Sequence, residues 1–496
     1  MANNRTFSTF ASALITVAMN WTDRLIGLIS MIVLARLLVP DDFGIIAMAA
    51  LVMAFADVIL NLGVHVPLIQ NQDATNEHYD TAWTIRLIQT VVSTIALFLL
   101  APAAAEFFDD ARVEPVLQVL AFSLVIGGLE NIGTVDFQKK MQFGAEFKYK
   151  FLRRFLGFLV IMICAMVLRT YWALVIGMIA ERVITVILSY VMSPMRPRLA
   201  ISRFREIFGV SQWMLLYNIG RYLNLKLHRI IVGRWESAGV LGAYTIAGDI
   251  AQLPTSELIS PINRALFPSF AKVKTSEKKL KRQFLLAQGV QTLVAVPAAV
   301  GLALVAAEAV PFMLGQKWLS AVPFVQVLAL INIAQALSTS GFYVLLAVGK
   351  TRINAVFVWL QVVMFGGLAF TSIIDRNAIE LSYLLFGVSL AALWIQFWLV
   401  TRHVPLLGIS DILRESARPL VAALAMTAAL RSLPEFIVSA NVTVLLVAKV
   451  AIGAIVYVGT LFALWHALGR PAGAENYIIE KTRGIWRPIL SRLSRA

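Results

Sequence analysis

"LARLLVPDDFG" (34–44) and "VGRWESAGVLG" (232–242) are the two stretches on which the fold turns. Laid over each other at a separation of 198 residues, they pair Arg36 with Arg234 and Gly44 with Gly242, and upstream the same offset pairs Asn20 with Asn218. In both places a polar-studded helix ends in an Arg, a short turn follows, and a Gly opens a long helix rich in small residues. Three identities say little alone. They gain weight because the surrounding hydrophobic pattern puts both stretches at the junction between the first and second helix of a six-helix set. Internal repeats of this kind belong to transporter folds.

That pattern is dense. The chain has 496 residues, 59% apolar and 14% charged, with a mean hydropathy of +0.78. Soluble domains are about a quarter charged. Apolar blocks run from 11–38 and 43–69 through 114–137 and 151–168 to 418–433 and 442–467, and a spanning helix needs ~20 apolar residues. The blocks are continuous rather than alternating, which excludes a β-barrel. Cys164 is the sole cysteine, so an internal disulfide is excluded. The expectation is an all-α polytopic membrane protein of about 14 transmembrane helices, two six-helix lobes related by the repeat plus two C-terminal helices. Residues 1–193 make the N-lobe, 194–206 a cytoplasmic linker and 207–401 the C-lobe. Helices 13 and 14 occupy 402–469, and 470–496 form a basic cytoplasmic tail.

The net charge is +15. Nucleic acid is not the reason, because the basic residues gather in alternate connections, as in cytoplasmic loops of membrane proteins. The connection between blocks four and five carries Lys139, Lys140, Lys148, Lys150, Arg153 and Arg154. The other side is acid-tinted, with Asp41, Asp42, Glu106, Asp109 and Asp110. Both termini are therefore expected in the cytoplasm, with an even number of passes through the membrane.

Ionisable groups at membrane depth are costly and usually face a cavity or each other. Here they concentrate in the first two helices of each lobe and in the sixth. At about 100° per residue, Tyr217, Asn218, Arg221, Asn224 and His228 fall on one side of the seventh helix. Asn20, Asp23, Arg24 and Gly27 make a similar stripe on the first. Facing stripes imply a hydrated cleft between the lobes, biased positive by Arg24, Arg182, Arg221 and Arg229. Arg suits phosphate because its planar fork donates two parallel hydrogen bonds. Asp57, Asp249, Glu257 and His228 are candidates for ion coupling. The competing account is that Asp23–Arg24, Glu181–Arg182 and the acids near Arg264 are ion pairs that only hold helices together. No nucleotide-binding loop or metal-ligand spacing is present in the sequence. Neither a cofactor nor an enzyme activity is expected.

At the turns, "LARLLVPDDFGIIAMA" (34–49), "LHRIIVGRWESAGVLGAYTIAGDIAQLP" (227–254) and "RALFPSFAKV" (264–273) resemble bacterial Wzx-type polysaccharide flippases, in particular the exopolysaccharide branch. The resemblance spans most of helices 1 to 12. Where those proteins often carry Asp before the Arg of helix 7, this chain has His228 before Arg229. The resemblance implies an ion-coupled flippase for an undecaprenyl-pyrophosphate-linked oligosaccharide, in contact with membrane lipid and with polymerase and co-polymerase partners. Two relatives of the same fold stand as alternatives, a multidrug extruder and a flippase for the peptidoglycan lipid precursor. The first would call for an acidic cavity, whereas this interior leans basic.

Overall fold

A computed structural model describes residues 2–60, 65–71, 73–204, 212–371, 377–433, 441–471, 473–477 and 480. Within its helices, the side chains of residues 2–18, 20, 65–66, 70, 212–214, 256–257, 260–261 and 264 lie outside the description.

Fourteen long helices follow one another among the described residues: α1 (Ala2–Leu37), α2 (Pro40–Leu60), α3 (Asn76–Phe108), α4 (Val113–Gly128), α5 (Phe143–Leu168), α6 (Tyr171–Met192), α7 (Gln212–Trp235), α8 (Ala238–Val273), α9 (Glu277–Leu314), α10 (Val322–Ala347), α11 (Thr351–Phe370), α12 (Ala378–His403), α13 (Ile409–Arg431) and α14 (Val442–Ala467). Nine of the helices among the described residues are long and apolar enough to cross a membrane by length and composition, ten if one bent pair counts as a single span. The exposed faces are lipid-like. Leu99, Val167, Val363 and Ile455 are each more than 60% exposed, which only a hydrocarbon surrounding makes tolerable.

The chain divides into two compact units, Met1–Ala243 and Tyr244–Ala496. In the first, α3 lies along α4, α4 along α6, and α5 along α6. In the second, α9 lies along α10, α10 along α12, and α11 along α12. The pairing scheme thus recurs at an offset of six helices. α13 and α14 pack on each other and on α9.

The first unit also holds α7 and the start of α8. Tyr222 of α7 is buried, donates to the Leu51 carbonyl of α2 at 2.6 Å and packs its ring 5.5 Å from that of Phe55. The quoted turns meet here. A Cβ at Gly44 would lie 1.7 Å from the Ala238 carbonyl oxygen, and one at Gly242 would lie 1.8 Å from the Pro40 carbonyl oxygen. Ala238 and Gly242 stand 198 residues after Pro40 and Gly44, so the contact is reciprocal. Each glycine lets the backbone of the other turn come closer than any side chain would permit.

The "VPDD" segment is explained by its hydrogen bonds. Pro40 opens α2, where a missing N–H is harmless. Asp42 is 8% exposed and accepts the Val39 N–H at 3.1 Å and the Tyr171 N–H at 2.8 Å, tying the start of α2 to the start of α6. Arg112, between α3 and α4, bridges Asp41 at 2.5 Å and Asp110 at 2.7 Å. Those bonds hold the Asp110 carboxyl below the usual carboxylate range and raise the Arg112 guanidinium further.

Two sequence expectations are corrected. The apolar block 114–137 is not one helix: α4 ends at Gly128, and the segment Ile132–Lys139 leaves at 71°. Asn131 fixes the break. Its side chain accepts the Gly133 N–H at 2.9 Å and donates to the Met195 carbonyl at 2.7 Å, while its own N–H donates to Ser189 Oγ at 2.9 Å. In addition, Lys148, Lys150, Arg153 and Arg154 are not in a connection. α5 begins at Phe143, so they sit within its first four turns.

Candidate functional site

The break at Asn131 and the early start of α5 together open a cavity of about 740 Å³ inside the first unit, walled by α2, α3, α4, α5 and α6. Asp57 enters from α2, Arg86 and Gln89 from α3, and Arg182 from α6. Glu130 stands at the break, and Glu146, Tyr149, Lys150 and Arg153 project from α5.

Most of these charges are prepaired. Arg86 bonds Glu130 at 2.5 Å and the Gly127 carbonyl at 2.9 Å. The Tyr149 hydroxyl donates to the other Glu130 oxygen at 2.7 Å, and Lys150 bonds Glu146 at 2.6 Å. Arg182 reaches toward the Ser123 carbonyl at 3.4 Å, over the surface left bare by Gly127. The wall carries Arg86, Lys150, Arg153 and Arg182 against Asp57, Glu130 and Glu146, a cationic excess. Pairing of this kind lowers the cost of holding ions at membrane depth and leaves their outer lone pairs and N–H groups to face the cavity.

Of the sequence-read candidates, Asp57 and Arg182 are brought together on this cavity. Arg24 is exposed on α1; the side chain of its neighbour Asn20 lies outside the described residues. On α7, Arg221 is exposed, and Tyr217, Asn218, Asn224 and Arg229 are half-buried. His228 Nε2 lies 3.1 Å from the Leu225 carbonyl of its own helix. Asp249 is exposed in the second unit, and the Glu257 side chain lies outside the described residues. The acids of the two adjacent pairs reach across to α5: Asp23 lies 3.6 Å from Arg154, and Glu181 lies 3.9 Å from Arg153 and 4.0 Å from Arg154.

Arg86, Glu130, Tyr149, Lys150 and Arg153 join the site only in the fold. A signal existed: in 143–155 the basic residues recur at helical spacing among Phe143, Phe147, Tyr149, Phe151 and Phe155, a helix with a polar side rather than a loop. Among the described residues no group of three or more His, Cys, Asp or Glu is arranged to hold a metal ion.

Known proteins place this fold. The backbone is similar to that of a lipid II flippase, MurJ, in an inward closed conformation, with a TM-score of 0.69 at 13% identity, covering 92% of this chain and 99% of that one. An inward-facing multidrug transporter of the MATE family aligns with a TM-score of 0.58 over 78% of this chain and 96% of its own, at 13% identity. In sequence, the chain is 24% identical over 356 residues to the lipopolysaccharide biosynthesis protein WzxC of Escherichia coli (strain K12), 69% of this chain and 72% of that protein. It is 24% identical over 434 residues to the succinoglycan biosynthesis transport protein ExoT of Rhizobium meliloti (strain 1021), 86% of this chain and 87% of that one. Residues 33–323, more than half of the chain, match the profile of the polysaccharide biosynthesis proteins, and the chain belongs to that family.

Proposed function

We propose that the protein is a flippase that moves a polyprenyl-pyrophosphate-linked oligosaccharide from the inner to the outer leaflet of a bacterial inner membrane, for assembly of an exopolysaccharide. The observation that carries this reading is the cavity of about 740 Å³ with its cationic excess, buried in a membrane-spanning member of a polysaccharide biosynthesis family. A pyrophosphate needs paired N–H donors, and guanidinium groups supply them as parallel forks. The sugar hydroxyls need both donors and acceptors, which Glu130, Tyr149 and Gln89 on the wall offer. The lipid tail stays in the bilayer while the head crosses. Transport proceeds by alternating access, with Asp57 as the residue that takes up the coupling ion and Arg24, Arg182 and Arg221 as cations met by the head group. A cationic drug is a poor match for such a wall.

Both termini face the cytoplasm in this reading, because the lysine- and arginine-rich connections then fall on that side. Polymerase and co-polymerase act on the product outside. The test is complementation of a deletion strain with wild type or Arg182→Ala, reading extracellular polymer and lipid-linked repeat units together. Lost polymer with repeat units trapped inside, restored by wild type and not by a well-expressed Arg182→Ala, is the expected result. Normal polymer in the deletion strain overturns the assignment.

A further inference from the structure

A second, smaller pocket of about 230 Å³ lies between α1 and α5, and it shares Lys150 and Arg153 with the larger cavity. Its other walls include Asp23, Phe147, Phe151 and Arg154. On α5, Phe147, Lys150, Phe151, Arg154 and Phe155 recur at spacings of three and four, so aromatic rings and cations alternate along one stripe. The rings form a ladder: Phe147 and Phe151 have centroids 5.9 Å apart and 14° between planes, Phe151 and Phe155 5.6 Å and 11°.

The two guanidinium groups beside the ladder are under-used. Their carboxylate neighbours stand at 3.6 to 4.0 Å, beyond hydrogen-bond length. Arg153 Nε and Arg154 Nε are buried and have no acceptor among the described residues. Gly27 of α1 keeps the space open, since a Cβ there would lie 3.1 Å from an Arg154 terminal nitrogen. Buried donors without acceptors are costly and rare; two loosely held guanidinium groups on adjacent residues, each side chain more than a third exposed and lining one pocket, mark a place for an anion.

We propose that this pocket is the head-group subsite of the flippase, a reading that rests on the function proposed above. Arg153 and Arg154 take the pyrophosphate, and Phe147 and Phe151, the two rings of the ladder that line the pocket, take the first sugar ring. A pyranose presents an apolar C–H face that packs flat on an aromatic ring, while its hydroxyls point outward. The pocket has the room of roughly seven waters, enough for a pyrophosphate and not for a whole oligosaccharide. The rest of the chain of sugars extends past Lys150 into the larger cavity. An anionic phospholipid head group offers the same phosphate chemistry but no ring for the ladder.

The experiment uses the full-length protein in phosphatidylcholine nanodiscs and two probes, citronellyl pyrophosphate and the same compound carrying one glucosyl residue. Arg153→Gln and Arg154→Gln each weaken both probes about tenfold or more, the loss of a charge-assisted bond. Phe151→Leu leaves citronellyl pyrophosphate binding unchanged and removes most of the advantage given by the glucosyl group. Phosphatidylglycerol in the nanodiscs does not compete. If the Gln variants fail to fold, Arg153→Lys and Arg154→Lys keep the charge, lose the fork and show the same direction of effect. Unchanged binding in folded Arg variants overturns the subsite, as does a glucosyl advantage indifferent to Phe151→Leu, or displacement of the probes by phosphatidylglycerol. None of these three outcomes touches the deletion-strain result, so the subsite and the flippase assignment fail separately.

Discussion

Replacing Gly44 with Ala tests the reciprocal contact directly. The added methyl would sit 1.7 Å from the Ala238 carbonyl oxygen, where ordinary contact begins at 3.4 Å. The two backbones must therefore part by about 1.7 Å to restore normal van der Waals separation. The obstacle is a main-chain carbonyl, so no rotamer change relieves it. Overpacking of this kind costs ~1–3 kcal/mol, set against ~0.5–1 kcal/mol gained when a helical glycine becomes Ala. Gly367 in α11 supplies the control, because nothing lies within 4 Å of a Cβ built there. Heat unfolding of the purified protein in a single detergent reads both. Gly44→Ala and Gly242→Ala lower the midpoint, and Gly367→Ala leaves it unchanged or raises it slightly. The Gly44→Ala/Gly242→Ala double variant loses less than the sum of the singles, since one separation of the turns relieves both clashes. A Gly44→Ala midpoint equal to that of Gly367→Ala refutes the reasoning.

Asp42→Ala strips the acceptor from the Val39 and Tyr171 N–H groups and costs ~1–3 kcal/mol, read as a lowered midpoint that Asp42→Asn partly restores. After α14 the chain returns to α13, where Glu475, 6% exposed, bonds Arg418 at 2.6 and 2.9 Å and Glu415 accepts the Ala474 N–H at 3.2 Å. Glu475→Ala leaves a buried guanidinium half-paired and costs ~3–5 kcal/mol, whereas Arg418→Met with Glu475→Leu costs far less; comparison of the two unfolding midpoints decides it. The Asp110 carboxyl is depressed mainly by its hydrogen bond to Arg112. A depressed carboxyl contributes its stability above its unfolded value, about pH 4, and loses it as the pH falls through the folded value. Because Arg112 is 43% exposed, solvent screening limits the effect to about 1 kcal/mol or less. An Asp110→Asn variant accordingly unfolds at a midpoint less dependent on pH between 5 and 3 than wild type, by about that much.

How far the sequence could be read depended on which physical rule governed each element. Hydropathy found the long helices because lipid imposes a minimum length of apolar residues on each of them. The repeat was legible at Gly44 and Gly242 because a backbone approach of under 2 Å to a Cβ position admits only glycine. Arg182 and Asp57 stood out by depth alone, which says that they face something polar and not what. The cavity itself was hidden for two reasons. Hydropathy starts a helix where charges stop, whereas α5 starts where its backbone bonds can form, eight residues before the apolar block at 151. The bend after Gly128 was hidden because its cause, the Asn131 bonds to Ser189 and Met195, spans about sixty residues of chain.

The turn contact also bears on ancestry. Two copies of a six-helix protein meeting about a two-fold axis would make this same interface, residue i on j and j on i. Fusion of the copies into one chain frees each half to diverge, but not equally at every site. Pro40 and Ala238 each present main-chain atoms to the partner turn, so this contact does not require their side chains to be alike. Gly44 and Gly242 receive those carbonyls where a side chain would begin, and both positions are glycine. In a symmetric pair of unfused copies a single substitution at that glycine would be felt twice; in one chain it is felt once.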